Sequence, residues 1–277
     1  MISNLTTIAC AVSVLIVIGL PIVGLFLLGI TNRGKGIWSA WTFGALGFFV
    51  SQILIRIPIL TALQSQSWFL AFSQNRPFLY VFTLAFTAGL FELAGRFAVA
   101  ILMRKKLTYK RSLAAGMGHG GIEAILLVGI AYINNLVFIA MINNGTFDSM
   151  AAEAVAAGAD AIQLEILKTT LMSTSPSMFL LGGFERLLSM IAHAGMTMLV
   201  CYSLYARRPW KGALACLGIH TFIDLTAGIN LLAGTVISQT VAYLIIYCIL
   251  IIIALVSVHI IITIRKRWTE MEVSHEL

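Results

Sequence analysis

Four short stretches of this sequence place ionisable side chains one or two helical turns apart inside runs that are otherwise apolar. Phe-Glu-Leu-Ala-Gly-Arg sets Glu92 and Arg96 at i and i+4, where they can pair along one helix face and are expected as a structural or accessory pair. Gly-His-Gly-Gly-Ile-Glu-Ala sets His119 one turn before Glu123, and His-Thr-Phe-Ile-Asp repeats the spacing with His220 and Asp224. Phe184-Glu185-Arg186 is followed, seven residues after the arginine, by His193. Carboxylates and imidazoles held together in a water-poor layer support two chemistries. Glu123 can act as general base on a water while histidines stabilise the attack. Alternatively, His119, His193 and His220 with the acids can hold a divalent metal, for which zinc is the natural match. Either route ends in hydrolysis.

The elements that carry these residues belong to a membrane protein. Of 277 residues 60% are hydrophobic and 10% charged, too little polar surface to cover a core in water. Apolar runs of membrane-spanning length recur along the chain and predict an all-α, polytopic bundle of about seven helices in a single transmembrane domain covering residues 1–277. The spans run roughly from Leu5 to Ile30, Ile37 to Leu63, Phe78 to Met103, Leu113 to Met141, Phe184 to Ala206, Gly212 to Leu232 and Val236 to Ile264. Counted from the basic ends at about 1.5 Å per residue, Glu92, His119, Glu123, His193, His220 and Asp224 all lie roughly 10 to 20 Å deep. They share one layer. Glu185 and Arg186 fall near the opposite surface, as accessory or anchoring groups. Cys10, Cys201, Cys216 and Cys248 lie in apolar runs without CxxC spacing and read as small core residues.

Charge fixes the expected orientation. The net charge is +7, but 13 of the 18 Lys and Arg lie in the first, third and fifth short connections or just after the last span, which is a topology signal rather than a nucleic-acid surface. Lys and Arg are retained on the cytoplasmic side, so the N-terminus is expected outside and the C-terminus inside. The one long connection, 142–183, is acidic and should form an extracytoplasmic loop whose middle can lie on the membrane as a surface helix.

The four stretches together resemble the YhfC-like intramembrane proteases, related to the CAAX-processing and PrsW-like proteases; the Gly-His-Gly-Gly-Ile-Glu-Ala run is the specific part. The resemblance implies an endopeptidase in a bacterial plasma membrane, cleaving a membrane protein or lipidated peptide by a glutamate-dependent or metal-dependent route. It implies Glu123 and His193 as the pair that activates water, and His220 with Asp224 as the oxyanion support. The sequence departs from the paired Glu-Glu motif of the CAAX enzymes by offering His119 and a single Glu123. Buried acids and histidines also serve proton- or ion-coupled transporters. A transporter and a non-catalytic scaffold subunit are therefore the competing readings.

Overall fold

A computed structural model describes residues 1–276, with the side chains of Ala227 and residues 272–276 outside the description. Among the described residues, seven helices are long and apolar enough to cross a membrane: Asn4–Thr31, Ile37–Gln64, Pro77–Lys106, Tyr109–Asn144, Pro176–Tyr205, Pro209–Leu231 and Gln239–Met271. The protein is an all-α, multi-pass membrane protein. Many Leu, Ile, Val and Phe side chains are left facing outward, as lipid contact requires.

Helix ends follow local chemistry. Proline opens the third and sixth spans, where its fixed φ suits the first turn and its missing N–H costs nothing. Gly145 closes the fourth span in the left-handed conformation that a side chain would resist. The fifth span starts at Pro176, eight residues earlier than the apolar run suggests, so the long connection is shorter than its expected 142–183. It holds two helices rather than one, Phe147–Ala156 and Ala161–Ser173, the second capped by Asp160 accepting from the Ile162 N–H. A further short helix, Ser67–Asn75, joins the second and third spans. Cys10, Cys201 and Cys216 are buried as expected, whereas Cys248 is exposed.

The chain packs as two compact units. One comprises Met1–Leu20 and Ala124–Leu187, with a core of Ile2, Ala9, Cys10, Ile139, Leu171 and Phe179. The other comprises Pro21–Glu123 and Leu188–Leu277 and holds the larger core. In that second unit small residues set helix spacing. A Cβ on Gly44 would strike the Ala115 backbone, and one on Gly118 would strike the Trp41 carbonyl, so the second and fourth spans meet backbone to backbone. Gly116 faces the Ala194 backbone, Gly120 faces His193 and Gly121 faces Pro21. The glycines of the fourth span are thus filled by neighbouring helices. They do not hold open a channel for substrate.

Candidate active site

All seven ionisable residues singled out for chemistry between the third and sixth spans lie in the second unit. Glu92 is the hub. Its Oε2 accepts from the Arg96 guanidinium at 3.1 Å and lies 3.0 Å from His119 Nε2, 2.9 Å from His220 Nε2 and 3.6 Å from His193 Nδ1. The other oxygen, Oε1, accepts from the Gln52 amide at 3.1 Å. Glu92 and Arg96 form the expected i,i+4 pair, but it is the centre of the cluster rather than a bystander to it.

Arg96, only 1% exposed, also lies 2.7 Å from His193 Nδ1. A guanidinium can only donate, so His193 Nδ1 must accept. In the neutral ring the proton therefore sits on Nε2, which is 2.9 Å from Glu123 Oε2. His193 is in this way linked to Glu92 through the Arg96 guanidinium at one ring nitrogen and stands against Glu123 at the other. His119 stacks on His193 with ring centroids 5.5 Å apart, and His220 meets His193 edge-on at the same separation. Asp224 Oδ2 stands 3.4 Å from His220 Nδ1 at the edge of the cluster, with 34% of its side chain exposed. The remaining predicted residues, Glu185 and Arg186, belong to the other unit and pair with each other.

Two residues of this site were missed by spacing arguments. Gln52 and Arg56 lie in the second span, on a π-helical segment, Phe49–Arg56, of the kind often found at functional sites. Gln52 links Glu92 to the Ala88 carbonyl, and Arg56 donates to Gln52 Oε1 at 3.2 Å and to the Leu84 carbonyl at 2.7 Å. Their signal was present: a polar pair at i and i+4 inside an apolar run, one of them a cation.

The donor set fits a metal ion in part. Ligand atoms of Glu92, His119 and His193 all lie within 4.8 Å of one another, and two imidazoles with a carboxylate are ordinary zinc ligands. This set includes Glu92 where sequence favoured His220. Each nitrogen of His220 approaches a carboxylate without the direction a hydrogen bond needs, so the ring is positioned but not satisfied. Arg96 opposes a metal, because its guanidinium already occupies lone pairs on Glu92 and His193.

Seven helices of membrane-spanning length, with a buried cluster of imidazoles, carboxylates and an arginine in the second unit, define a multi-pass membrane protein with a buried polar site. Residues 15–247 match the YhfC intramembrane metalloprotease family, and the chain belongs to that family. It is similar to the uncharacterized membrane protein YhfC of Bacillus subtilis (strain 168), with 31% identity over 168 residues, covering 60% of this chain and 63% of that relative.

Proposed function

We propose that this chain is an intramembrane endopeptidase of the bacterial plasma membrane that hydrolyses a peptide bond of a membrane protein or lipidated peptide. One observation carries the reading: five spans contribute side chains to a single buried cluster in which His193 stands between Glu92 and Glu123. Glu123 takes a proton from water as the water oxygen attacks the scissile carbonyl carbon. His193, its Nδ1 held by Arg96, orients Glu123 through Nε2. As the C–N bond breaks, the proton passes from Glu123 to the leaving amine. His220, oriented by Asp224, donates to the carbonyl oxygen as it gains charge, and the unpartnered Nε and Nη1 of Arg96 add positive potential nearby. A divalent ion such as zinc would be held by Glu92, His119 and His193 only if Arg96 released the His193 Nδ1, and it would then supply Lewis-acid activation of the water.

The test uses purified full-length protein, membrane-spanning peptides as substrate and elemental analysis for bound metal. Wild type should cleave, and Glu123→Gln should lose cleavage while melting at the wild-type temperature. Cleavage by Glu123→Gln at the wild-type rate would refute the assignment. For orientation we propose the N-terminus outside and the C-terminus in the cytosol, with the chain acting as a single membrane domain. A cysteine replacing the exposed Gly158 should then react with an impermeant thiol reagent from outside, and a reporter fused after Arg267 should be cytosolic.

A further inference from the structure

Away from the buried cluster, a cavity of about 760 Å³ is lined by Lys35, Lys106, Lys110, Arg111, Arg265 and Trp268 together with small and hydroxyl-bearing residues. Five cations face it, and no Asp or Glu is found among the described residues that line it. They come from three separate stretches: before the second span, where the third span ends and the fourth begins, and at the end of the seventh. A basic bias that merely fixes topology requires no hollow, and like charges on mobile loops would spread apart in water. Here they converge. Lys110 has Lys35 and Arg265 as repelling neighbours, and its ammonium is tied to Asn32 Oδ1 at 2.6 Å.

Two helix N-termini add to the same field. Gly36, which lines the cavity, caps the second span from the left-handed conformation, leaving its first N–H groups without a side-chain acceptor. Thr108, also in the lining, precedes the fourth span. Trp268 is 1% exposed, and its indole N–H has no hydrogen-bond partner; the buried Nε of Arg111 has none either. Buried donors of this kind require an acceptor. A cavity of ligand size, offering cations and N–H donors, selects an anion with several oxygens.

We propose that this cavity binds a phosphate group, carried either by the headgroup of an anionic lipid or by a soluble phosphate. The inference stands apart from the proteolytic reading. Full-length protein in phosphatidylcholine nanodiscs is titrated with phosphatidylglycerol, and in neutral detergent with inorganic pyrophosphate, binding being read by native mass spectrometry and thermal shift. The Lys35→Gln/Arg111→Gln variant should bind at least about tenfold more weakly. An Arg104→Gln/Lys105→Gln control, outside the lining, should bind as wild type does. Binding of phosphatidylglycerol alone assigns a lipid headgroup, and binding of pyrophosphate assigns a soluble phosphate; either supports the proposal. Binding of neither, or equal weakening in the control, overturns it. A measurement that needs no charge variant is the fluorescence change on adding the probe: it should be present in wild type and lost in Trp268→Phe, and its persistence in Trp268→Phe counts against the site.

Discussion

Two regions of this protein bring opposite charges together, one at the surface and one in the buried cluster. On the connection between the fourth and fifth spans, Lys168 Nζ lies 2.6 Å from Asp148 Oδ1. This is closer than any of the contacts around Glu92, which run from 2.9 to 3.6 Å. Yet 76% of the Asp148 side chain is exposed, against 5% for Glu92. Water already satisfies the exposed pair, so forming it changes little. The buried groups have only one another, and each partner removed leaves a charge stranded in a medium that cannot solvate it. Separation is therefore a poor guide to what a pair does. Burial, and the number of partners competing for one oxygen, decide.

Substitutions within the buried cluster should have the largest effects. Glu123→Gln keeps the shape of the side chain but removes its capacity to take a proton, so peptide cleavage should fall by about 10²- to 10⁴-fold with stability unchanged. A comparable fall in thermal stability would instead make Glu123 a structural partner of His193. Arg96→Leu should destabilise the fold by about 3–5 kcal/mol, because Glu92 then stays buried without its cation. Replacing Glu92 and Arg96 together should restore stability only in part. Gln52, His119 and His220 also turn toward Glu92, and they lose that partner in the double variant. Full recovery, measured by thermal unfolding in detergent, would show that Glu92 and Arg96 form a closed pair and that the wider cluster adds no stability.

The same comparison explains what could be read in the sequence. His119 with Glu123, and His220 with Asp224, were legible because i,i+4 spacing in an apolar run leaves few alternatives for the polar face. Glu92 and Arg96 were legible only as a pair, because a pair that satisfies itself on one helix gives no sign of the three imidazoles that reach it from others. Gln52 and Arg56 show the same i,i+4 spacing on the second span, but neither is a carboxylate or an imidazole, so a search for acid and histidine pairs passes over them. The seven spans and the family resemblance were legible, since lipid burial demands long apolar runs and the fourth-span motif is specific. The early start of the fifth span was not, because Pro176 rather than hydropathy sets it.

The fourth-span glycines act through the neighbours they touch, among them Trp41, Ala194, His193 and Pro21. Gly118→Ala should destabilise by about 1–3 kcal/mol, since the added methyl meets the backbone of Trp41 and neither helix can yield without disturbing the other. Gly218→Ala is the matched control. A Cβ there meets nothing within 4 Å, and alanine is the better helix former. Equal loss in the two variants would mean that the contact with the second span is not what sets the effect at Gly118.

The smallest effect is expected at the exposed pair, where the sign of its pH dependence can be fixed in advance. The hydrogen bond to Asp148 raises the Lys168 pKa above its usual 10.5. Lys168 also lies over the Phe147 ring, 5.9 Å from its centroid, an added contact that holds only while the ammonium is charged. A group whose pKa is raised by folding stabilises the fold fully below its unfolded value and loses that contribution as pH climbs through the folded one. The difference in melting temperature between wild type and Lys168→Met should therefore be small and constant from about pH 6 to 9, shrinking only above about pH 10.5. Raising the salt should shrink it as well, because nothing shields the pair from counter-ions. Comparing the two proteins at each pH cancels the other lysines and tyrosines, which titrate in both. A difference that grows with pH, or one that matches Arg96→Leu in size, would mean that Lys168 is buried in the working protein and that the contrast between the two regions is false.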